Sequence, residues 1–171
     1  MLQGSHRARV GVALSVGGMG ALCLGFKRSA LSLFGMGIRM LELDWRSRHP
    51  DFQGGAGARW QTAIDFYRAT HQHPTNRRLH VVGIPLIVAG AAGLFASRPL
   101  SPTSGGLWLG SFAAFGCGWA LNLLGHAVYE RRGPAFSEDG LSFLAGPIWD
   151  LQQLMRLVRA APADDATAFR S

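Results

Sequence analysis

Lysine occurs once in this chain, at Lys27, cysteine only at Cys23 and Cys117, and charged residues make up just 16% of 171. Each scarcity removes a class of function. Both cysteines sit inside separate apolar runs and share no metal-ligand spacing, so they read as small buried hydrophobes, not a disulfide framework or thiolate zinc site. The net charge of +7 is carried almost entirely by arginine. A basic chain can bind nucleic acid, but these arginines pair at the ends of apolar runs, as Arg77 with Arg78 and Arg131 with Arg132. Positive-inside topology or anionic lipid headgroups explain them there, and no nucleic acid partner is expected. No internal repeat, phosphate-cradling glycine loop, nucleophile elbow or H-E-x-x-H is present.

What remains is apolar. Hydrophobic residues reach 48%, while the mean hydropathy of +0.14 is modest for full embedding. A single, partly membrane-embedded, all-α domain with an N-terminal extension accounts for both, since the length is too short for two comfortable domains.

Residues 1–58 read as that extension. His6, Arg7 and Arg9 precede a glycine-rich uncharged run over 10–26 that resembles a signal anchor, although the glycines weaken it as a helix and an unstructured segment fits equally. Residues 30–45 have the pattern of a short amphipathic helix, and 49–57 that of a linker. The main helical domain is expected over 59–160. Trp60, Ile64, Tyr67 and His71 recur at helical spacing, with Asp65 and Arg68 facing elsewhere. Pro74 bars helical geometry at His73 and favours a fresh helix start, with Thr75 or Asn76 available as caps.

Residues 81–97 and 105–129 carry no charge. At about 1.5 Å per residue these runs cover roughly 25 Å and more than 30 Å, and R-P-L-S-P-T-S between them supplies a turn. An antiparallel membrane hairpin is predicted, with glycines 110, 116, 118 and 125 allowing close approach. Folded about residue 101, it places His80 opposite Asn122, and His126 about 6 Å further along. Both arginine pairs reach the same face. Gly133 and Pro134 end the second helix. Residues 141–159 form an amphipathic helix with Asp150, Gln152 and Arg156 on its polar side, and 161–171 a frayed tail.

Asn122, His126 and Glu130 follow at four-residue spacing and so share one helix face. Any one histidine here has an ordinary explanation: His71 as a favoured C-terminal residue, His80 as a snorkelling ring, His126 with Glu130 as a hydrogen-bonded pair. Convergence of His71, His80 and His126 from three helices at one depth points to a metal site. Asn76 and Asn122 are candidates to hydrogen-bond the ring nitrogens that do not hold metal, and His73 points away across its proline-fixed turn. Three imidazoles and a carboxylate suit Fe(II), Zn or Mn better than a copper electron-transfer centre. Spacing alone leaves the metal open, and with it oxygen chemistry against hydrolysis.

The block His71, Pro74, Asn76, His80, Gly83, Pro85, followed by Gly125, His126, Glu130, Arg132, Pro134, Ala135, resembles the Mpo1-like family over about 60–158. Asn122 stands where that family is expected to carry Gln, and His73 where a polar non-histidine residue is usual. The resemblance implies an integral, multi-pass membrane protein of a bacterial inner membrane or a eukaryotic endoplasmic reticulum. It further implies an Fe(II)-dependent dioxygenase that shortens 2-hydroxy fatty acids by one carbon, with molecular oxygen as co-substrate. On that footing His71, His80 and His126 hold the iron, and Glu130 is a fourth ligand or outer base, with Asn76 and Asn122 beside it. An arginine among Arg77, Arg78, Arg131 and Arg132 draws the carboxylate. The competing expectations are a non-enzymatic membrane scaffold or lipid-binding protein, and a metal-dependent lipid hydrolase.

Overall fold

The computed structural model describes residues 5–160. The expected tail over 161–171 lies outside the described residues. Among them the chain is all-helical: α1 (His6–Cys23), α2 (Lys27–Arg48), α3 (Ala56–Thr70), α4 (Pro74–Ala96), α5 (Gly105–Leu124) and α6 (Ser142–Ala160). A π-helical turn, Gly125–Glu130, prolongs α5, and a 3-10 turn, Ala135–Ser137, precedes α6.

Helices α4 and α5 form the predicted antiparallel hairpin, and they touch through their backbones. A Cβ added at Gly118 would lie 2.6 Å from the Gly83 carbonyl oxygen, and one at Gly90 would lie 2.6 Å from the Phe115 nitrogen. Of the four glycines expected to allow this, Gly118 and Gly125 do so, while Gly110 and Gly116 face open space. Gly83 and Gly90 on α4 complete the contact. The pairing of Gly83 with Asn122 and Ile87 with Gly118 carries His80 alongside Gly125 and His126, about three residues beyond the expected register. Backbone contact fixes that register, which the position of the turn alone could not.

Both hairpin helices are long and apolar enough to cross a membrane, and only 28% and 22% of their most apolar stretches are buried. A helix at the centre of a soluble bundle would be mostly covered. Here Val82, Leu109, Leu124 and Val128 are each about half exposed or more. Cys117, expected to be buried, lies on this exposed surface, and Cys23 is half-buried; both are free thiols.

Residues 6–48 form a second helical hairpin, which turns at Gly25 with φ +84. Its helices also meet at glycine: a Cβ at Gly18 would lie 2.7 Å from the Phe34 nitrogen, and one at Gly37 would lie 2.6 Å from the Ser15 nitrogen. The amphipathic segment expected over 30–45 is the middle of α2.

Charge fastens this hairpin to the rest. The buried face of α3 is Arg59, Ala63, Tyr67 and Thr70, one residue round from the predicted stripe, with Trp60 and Ile64 at its flank. The shift comes from Arg59, an arginine drawn into the interior. It is only 2% exposed, as is Asp139, to which its Nη1 donates at 3.0 Å. Its Nε donates to Glu42 of α2 at 3.0 Å, and its guanidinium lies 3.7 Å over the Trp45 ring. Further fastenings are Arg48 to the Glu138 carbonyl at 2.6 Å and Lys27 to the Phe95 carbonyl. Leu41 fills the space left by Gly140.

Removing one partner of a buried ion pair strands the other charge. Asp139→Ala is therefore expected to lower unfolding stability by about 3–5 kcal/mol, whereas Arg59→Met combined with Asp139→Leu recovers most of the loss. Chemical denaturation in detergent, followed by circular dichroism, measures both.

Candidate metal centre

His71 is the first residue beyond α3, with φ −120 and ψ 64. Pro74 opens α4, and His73, in extended conformation, caps it by accepting the Thr75 N–H at 3.1 Å. That cap was expected from Thr75 or Asn76. Taking it turns the His73 ring away from the centre and towards Tyr129, 5.0 Å between ring centroids.

The break between helices swings His71 back over the first turns of α4, where His80 waits on the buried side. The π-helical turn delivers His126 from the other direction; such turns widen a helix locally and are frequent at functional sites. All three rings are 5% exposed or less. Ring centroids are 4.7 Å apart for His71 and His80, 4.6 Å for His71 and His126, and 5.1 Å for His80 and His126. One nitrogen from each lies within 4.8 Å of the others, so the group could hold a metal ion.

Hydrogen bonding decides which nitrogens face inward. His71 Nδ1 lies 2.7 Å from the Tyr67 carbonyl, and His80 Nδ1 lies 3.0 Å from the Asn76 carbonyl. A carbonyl only accepts, so both Nδ1 atoms carry the proton and both Nε2 atoms present a lone pair. His71 Nε2 meets His126 Nε2 at 3.1 Å, while His126 Nδ1 is buried without a partner. Protein donors therefore cannot satisfy all three rings. If His126 protonates Nε2 its Nδ1 is orphaned, and if it protonates Nδ1 two lone pairs collide. A cation at the centre removes the lone-pair conflict, and neutral imidazoles with fixed tautomers are the form that binds one. Burial, then the neighbouring His80 ring, pushes His71 down to about 3, which keeps it neutral at physiological pH.

The orienting hydrogen bonds thus come from main-chain carbonyls, not from the Asn76 and Asn122 amides as expected. Those amides serve the packing instead. A Cβ at Gly125 would fall 2.0 Å from Asn76 Oδ1, and one at Gly83 would fall 2.3 Å from Asn122 Oδ1, so each asparagine occupies the space of a missing side chain. Glu130 Oε1 accepts from the His73 N–H at 2.8 Å and from Asn76 Nδ2 at 3.0 Å, which ties the π turn to the start of α4. The four arginines are exposed at this end of the molecule. Arg132 pairs with Glu138 at 2.7 Å and its charge reaches His71. Arg77 lies 5.7 Å over the Trp149 ring, in a polar cleft behind His71.

Two features escaped the sequence reading. Tyr67 stacks on His71 with centroids 3.8 Å apart and donates its hydroxyl to Asp150. The apolar pattern of the last helix places Asp150 on its polar face. Its signal was there: it is the lone carboxylate of α6, set between Trp149 and Leu151. The second feature is a cavity of about 470 Å³ that opens from the three histidines and Asn122 into apolar surroundings, including Ile84, Phe115, Trp119 and Phe143. Leu22 of α1 and Phe34 of α2 also line it, a contribution that nothing in residues 1–58 suggested.

Burial pushes the Asp150 carboxyl up to about 6, against the lowering pull of the Tyr67 hydrogen bond and of Arg77. A folded value above the unfolded one means this carboxyl favours the fold most below about pH 4, an advantage lost as pH rises through about 6. Asp150→Asn keeps an acceptor for Tyr67 and removes the charge. It is expected to raise Tm over wild type at pH 8 and to leave it unchanged at pH 4, by thermal scans in detergent.

Comparison with known proteins meets this geometry at the same residues. No curated protein and no solved structure matches the chain. The model of one family, described as 2-hydroxy-palmitic acid dioxygenase Mpo1-like, matches residues 58–158, which span all three histidines, the π turn and most of α6. The chain belongs to the Mpo1-like family.

Proposed function

We propose that this protein is a membrane-embedded, Fe(II)-dependent dioxygenase that converts a 2-hydroxy fatty acid to the fatty acid one carbon shorter. The observation that carries it is the meeting of three inward-facing imidazoles with the polar end of an otherwise apolar cavity. A 2-hydroxy acid has the matching polarity, with its carboxylate and hydroxyl at one end and hydrocarbon beyond. The family's description supports the substrate class.

The balance is simple. C2 becomes the new carboxyl carbon, C1 leaves as carbon dioxide, one water forms, and one O2 accepts the four electrons. Iron held by His71, His80 and His126 supplies the redox chemistry with oxygen and a chelating point for the carboxylate and hydroxyl. The protein does the rest. The carbonyls of Tyr67 and Asn76 lock two rings with Nε2 inward. Glu130, whose Oε1 accepts from His73 and Asn76 and which shares the π-helical turn with His126, is assigned to accept the substrate's hydroxyl proton through Oε2. Arg132 draws the carboxylate to the mouth, while Arg77, Arg78 and Arg131 hold anionic headgroups around it. Apolar walls exclude water from the reacting end.

Membrane residence rests on α4 and α5, whose apolar stretches are mostly uncovered. The rim of the cavity is apolar and open as well: Val88, Leu144 and Ile148 are between 39% and 44% exposed. A lipid-dissolved acid thus enters sideways from the bilayer, tail first, without crossing water.

Protein purified anaerobically in detergent and loaded with Fe(II) is expected to convert 2-hydroxypalmitate and oxygen to pentadecanoate. His80→Ala and His126→Ala are expected to lose stoichiometric iron by elemental analysis, and turnover with it. Glu130→Gln should retain iron and lose about 10- to 100-fold in rate. Zinc-loaded protein that cleaves an ester or amide, with no chain shortening in the iron form, overturns the assignment.

A further inference from the structure

The family region does not build the cavity alone. Its match begins at residue 58, yet Gly18, Met19 and Leu22 of α1 and Ala30, Leu31 and Phe34 of α2 stand in the wall. Their position along the cavity can be read from α4. Lining residues run along that helix from His80 through Ile84, Ile87 and Ala91 to Phe95, a span of about 22 Å at 1.5 Å per residue.

Phe95 marks the end remote from the histidines, and the N-terminal hairpin closes it. Lys27, the first residue of α2, donates to the Phe95 carbonyl. Leu22 and Ala30, on either side of the hairpin turn, pack with Leu94 and Phe115 in one buried cluster, with Met19 against it. The cavity is therefore polar at one end, apolar along its length, and stopped at the other end by residues from outside the matched region. A bilayer's hydrocarbon core, about 30 Å thick, is two acyl chains deep, so one chain needs about 15 Å and more when fully extended.

We infer that the α1–α2 hairpin is this enzyme's chain-length gauge: it closes the far end of the acyl cavity and selects long-chain 2-hydroxy acids by where it stops the methyl terminus. The inference rests on the cavity being the substrate site. It assigns specificity to Met19, Leu22 and Leu31, and makes the hairpin over 6–48 part of the enzyme.

The test measures chain length two ways on the full-length protein in detergent. One is displacement of a fluorescent fatty acid by saturated acids of ten to eighteen carbons; the other is turnover of the corresponding 2-hydroxy acids with Fe(II). Met19→Trp is expected to lower the affinity ratio of long to short acids by about fourfold for each methylene excluded, and Met19→Ala to move the optimum to longer acids. Leu31→Trp repeats the shortening at a side chain 63% exposed, where folding is not at stake. Taking ratios to wild type cancels partition into the micelle. Unchanged ratios in Met19→Trp and Leu31→Trp overturn the gauge, as does an equal loss at every length in Leu31→Trp. Graded binding without any chain shortening supports the gauge and overturns the reaction; chain shortening with an unaltered length profile does the reverse.

Discussion

The Nε2 atoms of His71 and His126 are held 3.1 Å apart in a buried pocket, and much of the molecule is arranged to keep them so. Each ring is brought there by a separate element of the fold. Pro74 forces the break after α3, main-chain carbonyls capture the outer nitrogens of His71 and His80, and the backbone contact of α4 with α5 sets the height of His126. The three ring nitrogens so gathered could hold a metal ion.

The same logic explains the glycines. Close backbone approach admits no sliding, because a shift of one residue would put a side chain where Gly83, Gly90 or Gly118 now leaves room. Gly125 and Gly83 then act in a second way, by leaving room for the Asn76 and Asn122 amides. Asn76 in turn holds Glu130, so the carboxylate's position follows from a missing Cβ on the neighbouring helix. Packing between two apolar helices thereby sets polar geometry at their end.

These dependencies show which parts of the fold were legible in the sequence. The hairpin was, because uncharged runs of membrane length separated by prolines have few alternative structures. The three histidines were, because each sits where an apolar run meets polar sequence and the hairpin carries those edges together. The register was not: it is decided by which glycines meet, and the sequence has more glycines than the interface uses. Arg59 was hidden because a lone arginine beside an apolar stripe reads as solvated, and its partners are 17 and 80 residues away. Asp150 was hidden likewise, since its partner, Tyr67, is 83 residues off. For α1 the difficulty was different. Its glycines carry the packing against α2, and a helix whose contact face is made of small residues shows no hydrophobic stripe to read.

The buried pair of Arg59 and Asp139 connects these levels. An ion pair so deeply buried is weak as a source of stability, because desolvation offsets most of the attraction. It is strong as a positional constraint, because each charge must find the other or remain uncompensated. Here the constraint joins α3, which ends at His71, to the segment leading into α6, and through Glu42 to α2. The histidine end and the hairpin are thus referred to one fixed point. Any displacement of the hairpin that lengthened or shortened the cavity would have to stretch the contacts of a guanidinium held on three sides. An apolar contact could have fastened the hairpin as firmly, but it would have allowed sliding; a hydrogen-bonded charge does not, and a cavity whose length matters requires that difference.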